Sequence, residues 1–380
     1  MKRSARRLLT LFSLLLCVLL LAAGWLLATE SGLQFIWRQI ATHAGPELAV
    51  TRVSGQLAGR LQIQELQYNT EAFALSVEQL EIDWQPQALL SGTLEFSEIR
   101  AAAVHYAQHA GTTADNPGKT GLPAVVLPLK LRLDALHVDS VTVIPAPDSE
   151  TLQLQDITLA ARASGSRVTL SGLSLTAPGL TLQGSAGMDL LDDYPLQGKL
   201  DWQWHSNTLA PLRARTQIGG NLRRLELIQE IQPPYSVQAR IALIDMLDTL
   251  QLDATLTLQD SALAAIDSSW PAQQVNAVLT LSGPPGQLQI KGSGNSRDAR
   301  DNRLDAAIDA ELRTAELRIR SLQLTLPEQP ARLQLQGRIG FSTSEDKLDL
   351  QADWQELSWP PYDEPVLTSA SGNLALKGSL

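Results

Sequence analysis

From Val50 to the last residues of the chain, apolar side chains return at every second position. Leu127, Leu129, Leu131 and Leu133 alternate, as do Leu152 with Leu154, Val168 with Leu170, and Leu180 with Leu182. Leu250, Leu252, Ala254, Leu256 and Leu258 follow, then Val275, Ala277, Leu279 and Leu281, then Leu322, Leu324 and Leu326, and finally Leu333 with Leu335. A period of two is that of a β-strand, with one apolar and one polar side. Turn residues punctuate the runs at Ser171-Gly172, Pro178-Gly179, Gly219-Gly220, Ser282-Gly283-Pro284-Pro285-Gly286 and Gly292-Ser293-Gly294. Such short connections leave no room for crossover helices of roughly 10–15 residues, which argues for antiparallel pairing.

An apolar sheet face has to be covered by something. A sandwich or closed barrel covers it with itself, but one core rarely extends past about 250–300 residues. Here the alternation runs on from Val50 to Leu376 without helices to cap it. A lipid-exposed membrane barrel would carry aromatic girdles, yet aromatics are 5% of a chain that is 44% hydrophobic. The expected fold is therefore mostly β: an elongated, curved, open antiparallel sheet whose apolar inner face is covered by an apolar ligand. Aliphatic acyl chains suit such a leucine lining. The expected lining takes one parity of each strand: Leu127, Leu129, Leu131, Leu133, Leu152, Leu154, Val168, Leu170, Leu180, Leu182, Leu250, Leu252, Leu256, Leu258, Leu279, Leu281, Leu322, Leu324, Leu333 and Leu335. The opposite parity, such as Arg132, Asp253 and Thr257, should face water. At about 4.8 Å between strands, some 20–25 strands would make a trough on the order of 100 Å long.

The N-terminus sets the compartment. Lys2, Arg3, Arg6 and Arg7 precede 21 uncharged residues from Leu8 to Ala28, a run that includes Leu15, Leu20 and Trp25. About 20 apolar residues span a bilayer core, whereas a cleavable signal usually has an apolar region of about 7–15. The expectation is a single-pass signal anchor. Its basic end stays in the cytoplasm and the bulk is exported. A lipoprotein signal fails, because Leu16 precedes Cys17 and the apolar run continues past it. With all 40 acidic residues and 26 of the 30 basic ones beyond the anchor, the exported part carries −14.

The organisation expected is a basic tail and anchor over 1–29, a short interfacial helix over 30–46, a membrane-proximal β module over 47–107, a polar loop over 108–123 and groove repeats over 124–380. In the helix, Ser31 can cap the N-terminus; Leu33, Ile36, Trp37 and Ile40 share a face, and Gly45-Pro46 stops it. The tripeptide Asp-Trp-Gln recurs at Asp83-Trp84-Gln85, Asp201-Trp202-Gln203 and Asp353-Trp354-Gln355, each read as a tryptophan closing a sheet edge.

Chemistry finds little to hold. A net charge of −10 and a pI near 5.0 exclude a phosphate-backbone footprint. The single cysteine, Cys17, excludes an internal disulfide framework and any multi-cysteine zinc site. HExxH, GxSxG and GxGxxG are all missing. Gly118-Lys119-Thr120 mimics the end of a phosphate loop, but Gly111 lies two residues too early and Pro123 stands where a helix should start. His105 and His109 fall at the end of an alternating run, where residues four apart are about 13 Å from each other. His43, His137 and His205 are isolated. No catalytic residue, metal or cofactor is expected.

The run Val53-Ser54-Gly55-Gln56-Leu57-Ala58-Gly59, followed by Leu61, Ile63, Leu66 and Tyr68, resembles the membrane-proximal opening of the AsmA-like family. The continuation through Val77, Leu80, Ile82, Trp84, Leu89-Leu90 and Ile99 is similar to that opening in the TamB branch, inner-membrane subunits of translocation and assembly modules. The later strand ends, Trp202-Gln203-Trp204 and Trp354 to Trp359-Pro360, look alike too. The resemblance implies a periplasmic β-groove of the bridge-like lipid-transfer type that carries phospholipid toward the outer membrane. It also implies a second role, assembly of outer-membrane β-barrel proteins and autotransporters with the partner TamA. Family members are several times longer and meet TamA through a C-terminal domain. This chain ends at Leu380 inside another strand pattern, and is expected to be an N-terminal portion or a truncated reading frame. A plain structural spacer is the third reading.

Overall fold

The computed structural model describes residues 25, 27–43, 47–109, 124–145, 151–191, 193–206, 208–270, 272–298, 300–341, 347–359 and 365–379. The basic tail, Leu8, Leu15 and Leu20, the Gly118-Lys119-Thr120 motif and most of the expected polar loop lie outside them. Among the described residues no helix is long and apolar enough to cross a membrane.

The first element is the helix α1, Glu30–His43. Its cap is Thr29 rather than Ser31: the Thr29 hydroxyl accepts the Gly32 N–H at 3.1 Å and its carbonyl accepts the Leu33 N–H at 3.1 Å. Leu33 is 2% exposed, Trp37 is half-buried, and Phe35, off that face, is 50% exposed.

The strands fall into two compact units, which divide between Leu190 and Leu191. The first holds β1 Leu48–Val50, β2 Val53–Gly55, β3 Arg60–Asn69, β4 Phe73–Trp84, a 3-10 turn Pro86–Ser91, β5 Thr93–Gln108, β6 Leu127–Ile144, β7 Leu152–Gly165, β8 Arg167–Ala177 and β9 Leu180–Asp189. β1 and β2 share one edge, pairing with the two halves of β3, and β3 to β9 then pair in chain order. One pair departs from the antiparallel expectation. β5 and β6 are parallel, with Leu94 opposite Leu131 and Val104 opposite Val141. Both strands therefore start from the same rim.

The second unit holds β10 Leu196–Trp204, β11 Leu212–Gly220, β12 Arg224–Ile231, β13 Val237–Ile244, β14 Gln251–Ala262, the short helix α2 Leu263–Ile266, β15 Gln273–Gly283, β16 Gln287–Asp298, β17 Arg303–Arg313, β18 Glu316–Thr325, β19 Arg332–Gly340, β20 Lys347–Trp359 and β21 Leu367–Ser379. Each strand pairs antiparallel with the next, a plain meander.

Two of the expected turns are strand interior. Gly172 lies inside β8 and Gly292-Ser293-Gly294 inside β16. Gly172 has φ +60, and the alternation changes phase there, from Val168 and Leu170 to Leu173 and Leu175. Gln79, with φ +50, changes it from Leu75 and Val77 to Leu80 and Ile82, and Asp156, with φ +51, from Leu154 to Ile157. A left-handed residue inside a strand is a bulge device that re-aims the side chains beyond it by one position.

Candidate functional site: an apolar sheet face without a second layer

Directly paired residues on neighbouring strands lie on the same sheet face, so register converts the sequence alternation into rows. In the second unit one row crosses nine strands as Ala239, Leu256, Leu279, Gly292, Ile308, Leu322, Leu335, Ala352 and Leu374. A parallel row runs from Ile241 through Ala254, Leu281, Ile290, Ala310, Ile319, Gly337 and Leu350 to Leu376. A third runs from Val237 through Leu258, Ala277, Gly294, Ala306, Leu324, Leu333 and Trp354 to Gly372. With about 4.8 Å between strands and about 3.4 Å per residue, these rows make a strip of roughly 14 by 38 Å.

The first unit builds the same pattern in shorter pieces. Leu61, Ile82, Ile99, Leu136 and Leu159 form one row, and Leu66, Val77, Val104, Val141 and Leu154 another. Leu131 and Leu133 stand opposite Ala163 and Ala161, which in turn face Val168 and Leu170. Leu180 pairs with Ala177 and Leu182 with Leu175.

The exposure of the twenty expected lining residues decides whether anything covers them. None is buried. Eighteen are half-buried, Leu129 is 44% exposed and Leu152 is 49% exposed. Leu129 sits in the irregular start of β6, where Leu127 pairs with Gly165 and regular pairing resumes only at Leu131. Leu250 lies just before β14. The residues that are buried in these rows are mostly small, such as Ala163, Ala239, Ala254 and Ala310, enclosed by their larger neighbours. A side chain enclosed by a second layer would lose most of its remaining exposure; these keep theirs.

Sequence reasoning missed Ile82, Ile99, Val104, Val141, Ile290 and Ile308 in the rows. The phase change at Gln79 hides Ile82, and the alternation also slips inside β5 between Phe96 and Ile99 and inside β6 between Leu133 and Leu136, so a search allowing one-residue slips would have found more of the row. It also missed the backbone role of Gly292 and Gly294. A Cβ on Gly292 would meet Leu279 Cδ1 at 2.7 Å, and one on Gly294 would meet the Ala277 Cβ at 2.8 Å. The glycines open a recess of about 330 Å³ bordered by Leu258, Leu279, Ile308 and Leu322.

The other face is polar. Arg132 binds Asp134 at 2.9 Å and Glu95 at 3.6 Å, and this pairing raises its pKa. Asp253 pairs with Ser282 and Ala242, and Thr257 with Val278 and Gln238. Glu311 is the most enclosed carboxylate: its side chain is 5% exposed and is held by Arg313 at 2.8 Å, Arg320 at 2.9 Å and Gln287 at 2.8 Å. The Arg313 hydrogen bond, then that of Gln287, pulls its pKa down to about 2. His105 approaches Glu78 at 3.8 Å, while His109 meets the Thr70 carbonyl at 3.1 Å. Among the described residues no group of His, Cys, Asp or Glu could hold a metal ion.

The three Asp-Trp-Gln tryptophans have partners for their indole N–H groups. Trp84 donates to the Leu57 carbonyl at 2.7 Å, Trp202 to the Thr216 hydroxyl at 3.1 Å and Trp354 to the Ser369 hydroxyl at 2.9 Å. Trp84 ends β4, but Trp354 is interior to β20, which continues past Glu356 to Trp359. A Cβ on Gly372 would strike the Trp354 ring, so that ring lies across β21 rather than closing an edge.

In both units, paired strands with an apolar face and, among the described residues, no helical layer over it define a mostly β, open-sheet protein. The TamB, N-terminal domain family matches residues 19–120 and 105–328, and the chain belongs to that family. No curated protein and no solved structure matches it.

Proposed function

We propose that this protein is an inner-membrane-anchored periplasmic bridge that carries phospholipid acyl chains along the apolar rows toward the outer membrane. The observation that carries the reading is the half-exposed state of the twenty lining residues, across rows that stay apolar over nine strands. Transfer of apolar surface from water gains about 0.8 kcal/mol per methylene. A 16-carbon chain moving through water therefore faces a barrier on the order of 12 kcal/mol, and a continuous aliphatic lining removes most of it without any catalytic group. In this reading Lys2, Arg3, Arg6 and Arg7 hold the N-terminus in the cytoplasm, and Leu8 to Ala28 crosses the bilayer. A photo-crosslinker at Leu131 or Leu256 should capture phospholipid, while one at Arg132 or Thr257 should not. Equal capture from both faces would exclude the reading.

A second reading is assembly of outer-membrane β-barrel proteins with TamA, reached through a C-terminal region beyond this chain. What supports it is the match to the TamB, N-terminal domain family.

A further inference from the structure

We propose that one rim of the first unit rests on the surface of an anionic phospholipid bilayer, with a basic recess that takes lipid phosphates. It rests on the anchoring part of the reading above. The rim is defined by backbone contacts. The Ala58 N–H donates to the Leu27 carbonyl at 2.7 Å, so the turn between β2 and β3 is tied to the end of the hydrophobic run. Trp84 ties the 3-10 turn side of β4 to the same turn through Leu57. The Lys130 N–H donates to the Gly92 carbonyl at 3.0 Å, which brings the start of β6 to the same strand ends.

This rim carries apolar tips that nothing encloses among the described residues. Leu90 is 94% exposed and Val126 63%, with Leu89, Val125 and Leu129 beside them. Immediately behind, on the polar face, a recess of about 470 Å³ is lined by Lys130, Arg132, Arg162 and Arg167, with Glu95 its one carboxylate. Glu95 and Asp134 are taken by Arg132. Asp189 stands opposite Arg167 in the register without an ion pair, and among the described residues no carboxylate reaches Lys130 or Arg162 either. In a chain of net charge −10, a local excess of cations beside exposed leucine and valine is conspicuous. Apolar tips that enter the headgroup boundary, backed by cations that meet phosphates, is how a surface seats on anionic lipid. Nucleic acid and acidic protein would use the cations and leave Leu90 and Val126 in water.

The test uses the full chain in a Cys17→Ala background, assembled into nanodiscs, with an environment-sensitive fluorophore at Leu90→Cys, Val126→Cys or, on the opposite rim, Glu71→Cys. In phosphatidylglycerol-containing nanodiscs, Leu90 and Val126 should shift to the blue and be quenched by brominated acyl chains, and Glu71 should not. Each cation adds about fivefold to the affinity for an anionic surface, so Lys130→Gln/Arg162→Gln/Arg167→Gln should weaken that contact by about a hundredfold. Its circular dichroism should stay unchanged. Pure phosphatidylcholine should mimic the triple variant. Unquenched fluorophores at Leu90 and Val126 overturn the proposal and leave the lipid-carrying reading intact. Equal quenching at Glu71, or in neutral lipid, overturns it as well. A chain that fails to enter nanodiscs refutes the anchor, and this inference with it.

Discussion

Replacement of Leu256 by aspartate isolates transport from folding. Leu256 stands mid-row between Ala239 and Leu279 and is half-buried. Its loss forfeits about half of the roughly 2–3 kcal/mol that full burial of leucine is worth. A β-propensity penalty of up to about 1 kcal/mol brings the folding cost to ~2 kcal/mol, inside the 5–15 kcal/mol of a typical domain. For a passing lipid the effect is larger. An acyl chain crossing one strand, about 4.8 Å wide, keeps about four methylenes over it, worth ~3 kcal/mol. A hydrated carboxylate withdraws that contact, and ~1.4 kcal/mol per factor of ten makes passage slower by about a hundredfold. Leu256→Ala, which stays apolar, should pass lipid nearly as the parent does. Thr257→Asp, on the other face, should leave passage unchanged. The assay is complementation of a lipid-transport defect, with thermal melting and lipid crosslinking run in parallel. A Leu256→Asp variant that folds and still complements would refute the reasoning, as would an equal loss from Thr257→Asp.

Further expectations are independent of lipid. Glu311 has a folded-state pKa of about 2, below its ordinary value of 4.5. Its contribution is therefore present above about pH 4.5 and is lost as pH falls toward 2. Glu311→Gln should lower the melting temperature at pH 7, where that contribution is present, and flatten the acid limb of melting temperature against pH as the difference from the parent closes toward pH 2; an unchanged acid limb excludes the assignment. Gly337 has φ +145 in the interior of β19, and a Cβ there would run into the Asp349 carbonyl oxygen. Gly337→Ala should destabilise by about 1–3 kcal/mol in urea titration; a neutral result would mean that the β19–β20 pairing is looser than its register. Gly372→Val should expel the Trp354 ring from β21 and raise indole exposure to acrylamide quenching, whereas quenching equal to the parent's would show that the ring packs elsewhere. A reporter active only in the periplasm and fused after Tyr68 should be on, and an inactive one contradicts an N-terminus held in the cytoplasm.

How much of this was legible beforehand depends on whether a feature is local. The period-two alternation is local, and by itself it determined that the chain is mostly β from Val50 on and that leucines two apart within one strand, such as Leu256 with Leu258 or Leu279 with Leu281, share a face. The helix that opens the described chain was legible too, because Leu33 and Trp37 repeat at helical spacing. Its cap was not: Thr29 and Ser31 are chemically equivalent candidates, and only backbone geometry selects Thr29. Parity alone cannot say which parity of one strand meets which parity of the next. Register decided that, and it put Leu256 opposite Leu279 and Ile308 opposite Leu322. Nor can alternation survive a bulge. Gln79 and Asp156 break it through a left-handed backbone that glutamine and aspartate do not announce, and Gly172 and Gly292 read as turns because glycine serves turns and crowded strand interiors equally well. The parallel pairing of β5 with β6 was not legible either, because alternation is the same whichever way a neighbouring strand runs. The absence of a second layer over the described rows was likewise a tertiary matter, since a half-buried leucine and a core leucine are the same letter and differ only in what packs above them.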